Sequence, residues 1–241
     1  MALAKVPDVS GKSDIVDKTA VRQAATVVLW RAGADGAPQV LMGQRGDKAA
    51  FMPSKYVFPG GAVDAADADV VLAGGLPAET TARLSVDAKI APATLAAAAI
   101  RELWEETGLA LGIPGLWASP PADEGHDWAG FAARGLVPSA GSLQFIFRAI
   151  TPPGRPRRFD ARFFLAPAEG IAGDVDDFSA ASDELSHLHW ISLTQTRSLD
   201  LPFITEVVLA EVAAVLRDGP PAEGVPFFDN SGTRPQFRRI V

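Results

Sequence analysis

Apolar and β-branched residues cluster in short runs that predict strands. Ala25 to Arg31 reads Ala-Thr-Val-Val-Leu-Trp-Arg and predicts the first strand. Gly33-Ala34-Asp35-Gly36 supplies turn chemistry, and Gln39 to Gln44 predicts the returning strand of a hairpin. Tyr56-Val57-Phe58 predicts a short strand that runs into Pro59-Gly60-Gly61. Leu143 to Ile150 and Arg157 to Leu165 predict two strands joined by the Pro-rich turn Thr151 to Pro156. In the second, Phe159, Ala161, Phe163 and Leu165 alternate with Arg158, Asp160 and Arg162, the period-2 pattern of a half-buried strand. His187 to Leu193 predicts one more strand.

Two segments carry helical patterns. Pro92 suits the first turn of a helix over Pro92 to Leu109, and Gly108 suits its C-terminal end. Ile100 and Leu103 would face a core. Phe203 to Arg217 predicts an amphipathic helix. Residues 1–22 read as a loosely ordered arm. Residues 64–91 are rich in Ala, Asp and Gly without a strong period and read as an insertion. Residues 112–141 carry many Pro and Gly, with a short helix near Trp128 to Arg134. The Pro-rich tail from Gly219 reads as surface packing. Strands and helices mix without β-α-β alternation. This favours an α+β domain over residues 23–241, a mixed sheet sandwiched between helices.

Composition narrows the partners. The 241 residues carry a formal net charge of −7, so polymeric nucleic acid, which selects basic surfaces, is not the expected partner. There are no cysteines, which excludes disulfides, thiolate zinc sites and cysteine nucleophiles. No apolar run approaches the roughly 18 residues of a membrane helix, and residues 1–18 lack the apolar centre of a signal peptide. The expected setting is cytoplasmic, without a membrane.

Chemistry concentrates in Arg101-Glu102-Leu103-Trp104-Glu105-Glu106-Thr107-Gly108-Leu109. On a helix, Glu102, Glu105 and Glu106 share one face. Three adjacent carboxylates repel one another unless a cation neutralises them, and hard oxygen donors suit Mg²⁺ or Mn²⁺. A solvated acidic stripe is the ordinary outcome for an isolated Glu-x-x-Glu-Glu. Here Arg101, the terminating Gly108 and the upstream Gly60-Gly61 turn shift the balance towards phosphoryl chemistry, which needs metals for the phosphates and a carboxylate for the attacking water.

This stretch resembles the signature of the Nudix hydrolases, Gly-x5-Glu-x7-Arg-Glu-aliphatic-x-Glu-Glu-x-Gly-aliphatic. Residues 101–109 match its second half at every fixed position. The first half is similar from Gly61, but Asp67 stands where the family has Glu. Residues 68–100 also replace the family's seven, so about 26 residues are inserted. That interruption is similar to the branch of acyl-coenzyme A diphosphatases with a split signature. So are Phe51-Met52-Pro53-Ser54 before the Gly-Gly turn, Ile150-Thr151-Pro152, and Arg158-Phe159-Asp160-Ala161-Arg162-Phe163-Phe164. Ala149 stands where that branch has an aromatic residue, and Gln44-Arg45-Gly46 matches its coenzyme A motif only in part.

The resemblance implies a Nudix fold with an insertion inside the signature and hydrolysis of a nucleoside diphosphate linked to another moiety, with coenzyme A or acyl-coenzyme A as one substrate. ADP-ribose, a dinucleotide, or ligand sensing without hydrolysis are the alternatives. It implies Glu105 and Glu106 as metal ligands, Glu102 as ligand or general base, Arg101 as the orienter of a carboxylate, the Gly60 carbonyl as a ligand, and Asp67 as structural. A small-molecule nucleoside diphosphate derivative is the expected partner, and a homodimer is left open.

Other residues have two readings each. Glu184 is either an extra metal or base carboxylate of a loop or a solvent-facing acid. Arg45, Arg158 and Arg162 are candidate phosphate contacts; salt bridges on a sheet surface, with Asp160 as the partner, are the alternative for the last two. His187 and His189, without a third ligand nearby, read as ordinary sheet positions. Trp104 would pack on the insertion, and Phe227-Phe228 would anchor the tail.

Overall fold

A computed structural model describes residues 20–47, 52–121 and 128–241. The predicted hairpin forms from β1 (Val21–Ala32) and β2 (Pro38–Arg45), with Trp30 opposite Val40 and Gly36 at φ 77° in the turn. Two short strands follow, β3 (Tyr56–Val57) on β2 and β4 (Gly60–Ala62) on β1. Residues 65–69 form a 3-10 turn, and α1 spans Ala78–Leu84. The long helix α2 (Pro92–Thr107) starts at Pro92 and ends at Gly108, whose φ of 73° is one that glycine adopts without steric cost.

Beyond α2 come β5 (Ala110–Pro114), α3 (Trp128–Ala133), β6 (Leu136–Pro138), β7 (Gln144–Ile150), β8 (Arg158–Pro167) and β9 (Ile171–Ala172). The chain closes with β10 (Leu185–Ser192), α4 (Phe203–Asp218), β11 (Val225–Asp229) and β12 (Gln236–Ile240). The main sheet runs β10-β2-β1-β8-β7-β11-β12, with β1 and β8 parallel. A small sheet of β6-β5-β9 stands apart.

The main sheet is packed on both faces. Ala25, Val27, Leu29 and Phe164 join Leu95 to Ile100 of α2 in one core. Val28, Val40, Met42 and Phe163 join Val208, Leu209, Val212 and Val215 of α4 in the other. This is the α+β sandwich the patterning predicts. Alternation along β1 sends odd positions to α2 and even positions to α4. Ala96 to Ala99 are fully buried, and their small side chains let α2 lie close to the sheet. No helix among the described residues is long and apolar enough to cross a membrane.

Several expectations need correction. Arg22 belongs to β1, so the arm is shorter than residues 1–22; residues 1–19 lie outside the described residues, as does Phe51. The Pro-rich tail is not surface packing. It forms β11, parallel to β7, and β12, and it buries Phe227. The loop-like region 112–141 hides β6 and part of β5. β8 is not half-buried, because Asp160 and Arg162 are buried too; it lies between β1 and β7 beneath helices on both faces. Trp104 meets Phe131 of α3 edge-on at 5.7 Å and shares one core with Val70 and Leu84 of residues 64–91. Those residues add no strand to the main sheet, only a single bridge from Gly74 to Ser139.

Candidate active site

The helical spacing that places Glu102, Glu105 and Glu106 on one face of α2 holds in the structure. All three line a cleft of about 310 Å³ together with Glu184, Trp104 and Ala180. The Gly-Gly turn makes the cleft compact. A Cβ on Gly60 would collide with the backbone of β1 at Thr26, and one on Gly61 would collide with the Glu102 carboxylate. Gly60 donates its backbone N–H to Glu106 Oε2 at 2.8 Å.

Arg101 is the internal clamp. Its Nε and NH2 bond Asp67 at 2.8 and 3.0 Å, its NH2 also reaches the Ala62 carbonyl, and its NH1 reaches Glu102 at 2.9 Å and Glu105 at 3.1 Å. Asp67 is fixed in turn by accepting the Asp64 N–H. This Arg–Asp pair ties residues 62–67 to α2 and explains the buried acid at this position.

The electrostatics are those of excess negative charge. Burial pushes the Glu102 carboxyl up to about 7, with Glu105 and Glu184 adding to the shift and Arg101 opposing it. Glu106, 3% exposed, is raised well above the usual carboxylate range, first by burial and then by Glu102; the Gly60 N–H offsets this in part. For Arg101, burial opposes the charge, but its bonds to Asp67 and the surrounding carboxylates outweigh it and raise its pKa.

An all-carboxylate donor set with one guanidinium among four acids fits a hard divalent cation. Among the described residues no three acids or histidines are already gathered as a coordination shell, because Arg101 holds Glu102 and Glu105 and the Gly60 N–H holds Glu106. The chemistry of the donors therefore fits Mg²⁺ or Mn²⁺ better than their present spacing does.

Glu184 reaches the cleft because its loop is tied down twice. Ser182 donates its N–H to the Glu105 carbonyl at 3.1 Å, and Ala180 packs so closely on Gly108 that a Cβ there would clash. Further back, Arg31 pairs with Asp176 at 2.8 Å, and Trp190 donates to the Val175 carbonyl. Arg45, at the end of β2, opposes the upward shift of Glu106, and its Nε is buried with no partner among the described residues.

Arg158 and Arg162 are not brought to the cleft. Arg158 donates to the carbonyls of Thr151 and Asn230. Arg162 is 1% exposed and pairs with Asp160 at 3.1 Å. The strand face that suggested a phosphate site is interior at Arg162 and half-buried at Arg158. His187 and His189 occupy β10 across an irregular register, and His189 meets Tyr56 edge-on.

Sequence reasoning missed Arg134. Its guanidinium lies 4.9 Å over the Trp104 ring and reaches the Gly108 carbonyl at 3.3 Å. No motif joins it to the signature; only the packing of α3 on α2 brings it there.

No family model matches the chain. The chain is 31% identical over 179 residues to a Caenorhabditis elegans protein named as a candidate nudix hydrolase, number 7. That match covers 70% of this chain, which spans about half (51%) of the relative's length. Among solved structures, a NUDIX hydrolase from Alicyclobacillus acidocaldarius is similar with a TM-score of 0.59 and 30% identity, over 81% of this chain and 92% of that one. With that identity over nearly the whole of a solved hydrolase, and with the glutamates of its signature gathered at one cleft, the chain belongs to the Nudix hydrolase family.

Proposed function

We propose that the protein hydrolyses a diphosphate linkage in a nucleoside diphosphate derivative, with Mg²⁺ or Mn²⁺ as cofactor. The observation that carries this reading is the convergence of Glu102, Glu105, Glu106 and Glu184 on one cleft, where the guanidinium of Arg101 is already engaged. Glu102, Glu105 and Glu106, with the Gly60 carbonyl and Glu184, would hold the cation. When bound, it supplies neutralising charge for the diphosphate and acidifies water.

The chain's own groups do the rest. Arg101 positions Glu102 and Glu105 through its NH1, and the Gly60 N–H positions Glu106. Glu102 or Glu184 accepts the proton of the attacking water. Arg45, partly buried and short of a partner for its Nε, takes a phosphate oxygen of the diphosphate. Coenzyme A or an acyl-coenzyme A is the substrate favoured by the interrupted signature and its flanking motifs. ADP-ribose or a dinucleotide is the alternative, since the carboxylates do not read the leaving group. The domain runs from the start of β1 at Val21 to residue 241, with residues 64–91 as the insertion.

The test is a panel of coenzyme A, ADP-ribose and dinucleoside polyphosphates, assayed with Mg²⁺ and with Mn²⁺ and read by product identity. Turnover that needs the cation and yields two monophosphate-bearing products from coenzyme A supports the reading. Absence of hydrolysis across the panel with both metals overturns it.

A further inference from the structure

We propose that Arg134, laid over the Trp104 ring that lines the cleft, is a specificity-determining residue that takes a phosphate lying outside the diphosphate to be cleaved. This rests on the hydrolase reading above and adds a second anionic requirement on the substrate.

Among the described residues Arg45 is the one arginine near the carboxylates that is open to a phosphate. Arg101 is consumed by Asp67, Glu102, Glu105 and the Ala62 carbonyl, and Arg162 is enclosed beside Asp160. Arg134 is different: the residue is exposed. A guanidinium has five N–H donors, and the Gly108 carbonyl takes one of them at 3.3 Å. The ring beneath it fixes its plane. Trp104 is itself held edge-on by Phe131, and it lies in sequence between Glu102 and Glu105 while lining the same cleft. An arginine pre-set on an aromatic face loses little freedom when it pairs with a phosphate, and its fork suits two oxygens at once.

The carboxylate that competes for it is Asp177, on the loop that carries Ala180. Hydrogen bonds to Ser179 hold that carboxyl below its ordinary value, and Arg134 contributes last. Among the described residues Asp177 is a nearby countercharge without a direct ion pair to Arg134, so an incoming phosphate displaces no salt bridge of theirs.

The experiment compares wild type, Arg134→Ala and Arg134→Lys, all full chain with Mg²⁺ or Mn²⁺. Two substrate pairs are used: coenzyme A against 3′-dephospho-coenzyme A, and diadenosine tetraphosphate against diadenosine diphosphate. Each pair differs in phosphates outside a single diphosphate. Arg134→Ala should lower kcat/KM about tenfold on the phosphate-rich member of one pair, through KM, the loss expected for one charge-assisted contact at an exposed site. The poorer member should change less than about twofold, and Arg134→Lys should recover part of the loss because charge remains. The responding pair identifies the source, a ribose phosphate or a polyphosphate chain. An equal loss on all substrates would mean that Arg134 only closes the end of α2, and no loss would mean that it meets bulk water; either overturns the proposal. If wild type cleaves nothing, the hydrolase reading fails. Calorimetric binding of 3′,5′-ADP and of adenosine tetraphosphate to wild type and Arg134→Ala then decides the arginine separately: tighter binding of either by wild type supports it, and equal binding of both sinks it.

Discussion

Two buried charge clusters use the same residue types and end differently. At the cleft, one guanidinium, Arg101, faces Asp67, Glu102 and Glu105, with Glu106 beside them. Under the sheet, two guanidiniums, Arg148 and Arg162, share one carboxylate, Asp160. The second cluster disperses its excess positive charge onto neutral acceptors. Arg148 reaches the carbonyls of Val86 and Asp87 and lies 4.3 Å over the Phe227 ring, while Arg162 takes Gln23 and the Asp160 carbonyl. In the first cluster the acids remain in excess at the cleft: the Gly60 N–H meets Glu106, yet four glutamates line the opening. The closed cluster makes nearly all of its contacts internally, with Arg162 NH2 the one buried donor left without a partner among the described residues. An open one retains an electrostatic cost that a cationic ligand can remove, the usual conflict between stability and function at a site.

The largest effect should come from breaking the closed cluster. Asp160→Asn leaves two buried guanidiniums without their shared carboxylate, and removing one partner of a buried pair costs about 3–5 kcal/mol. Urea denaturation checks this, and a loss under about 1 kcal/mol would mean the carbonyls alone suffice. Activity per folded molecule should be kept, because none of these groups lines the cleft.

Breaking the open cluster should act in the opposite sense. Glu106→Gln keeps the shape and can still accept the Gly60 N–H, but it removes a buried charge. Turnover should fall at least about 10²-fold, as when a transition-state charge clamp is lost. Thermal stability measured in a chelator should rise. A Glu106→Gln protein that is less stable than wild type in chelator would erase the contrast between the two clusters.

Much of this was legible in the sequence, and the failures share one cause. The hairpin, α2 and the carboxylate face depend on local period and local turn chemistry, so Pro92, Gly108 and the Glu spacing locate them. The long-range pairings were hidden. β11 carries Pro226 and follows a Pro-rich stretch, and only its parallel pairing with β7 and the burial of Phe227 reveal it as a strand. Arg158 and Arg162 looked like a solvent face because charges usually mark one. Asp160 and Arg148, on another strand, neutralise that face inside the core. Arg134 carries no local signal either, since its place beside Trp104 depends on α3 packing against α2.

The smallest effect, and the most diagnostic, is the pH dependence of stability in chelator. Asp160 is held below the usual carboxylate range: burial would raise it, but Arg148 and Arg162 overcome that. A depressed folded pKa contributes stability above the unfolded value of about 3.9 and loses it as pH falls towards the folded value. Glu102 has the reverse sign. Its folded pKa of about 7 exceeds its ordinary 4.5, so its cost is absent below about pH 4.5 and grows as pH rises through 7. The full shift would correspond to about 3 kcal/mol, and residual water access at the cleft reduces this to roughly 1–2 kcal/mol. The wild-type melting temperature should therefore fall at both ends, below about pH 4 and again from about pH 5 to 8. Asp160→Asn should flatten the acid limb alone. Glu102→Gln should flatten the neutral limb alone, and millimolar Mg²⁺ or Mn²⁺ should do the same for wild type, because a bound cation takes over the role of the proton. A neutral limb that survives in Glu102→Gln would show that the cost lies elsewhere, with Glu106 the next group to replace.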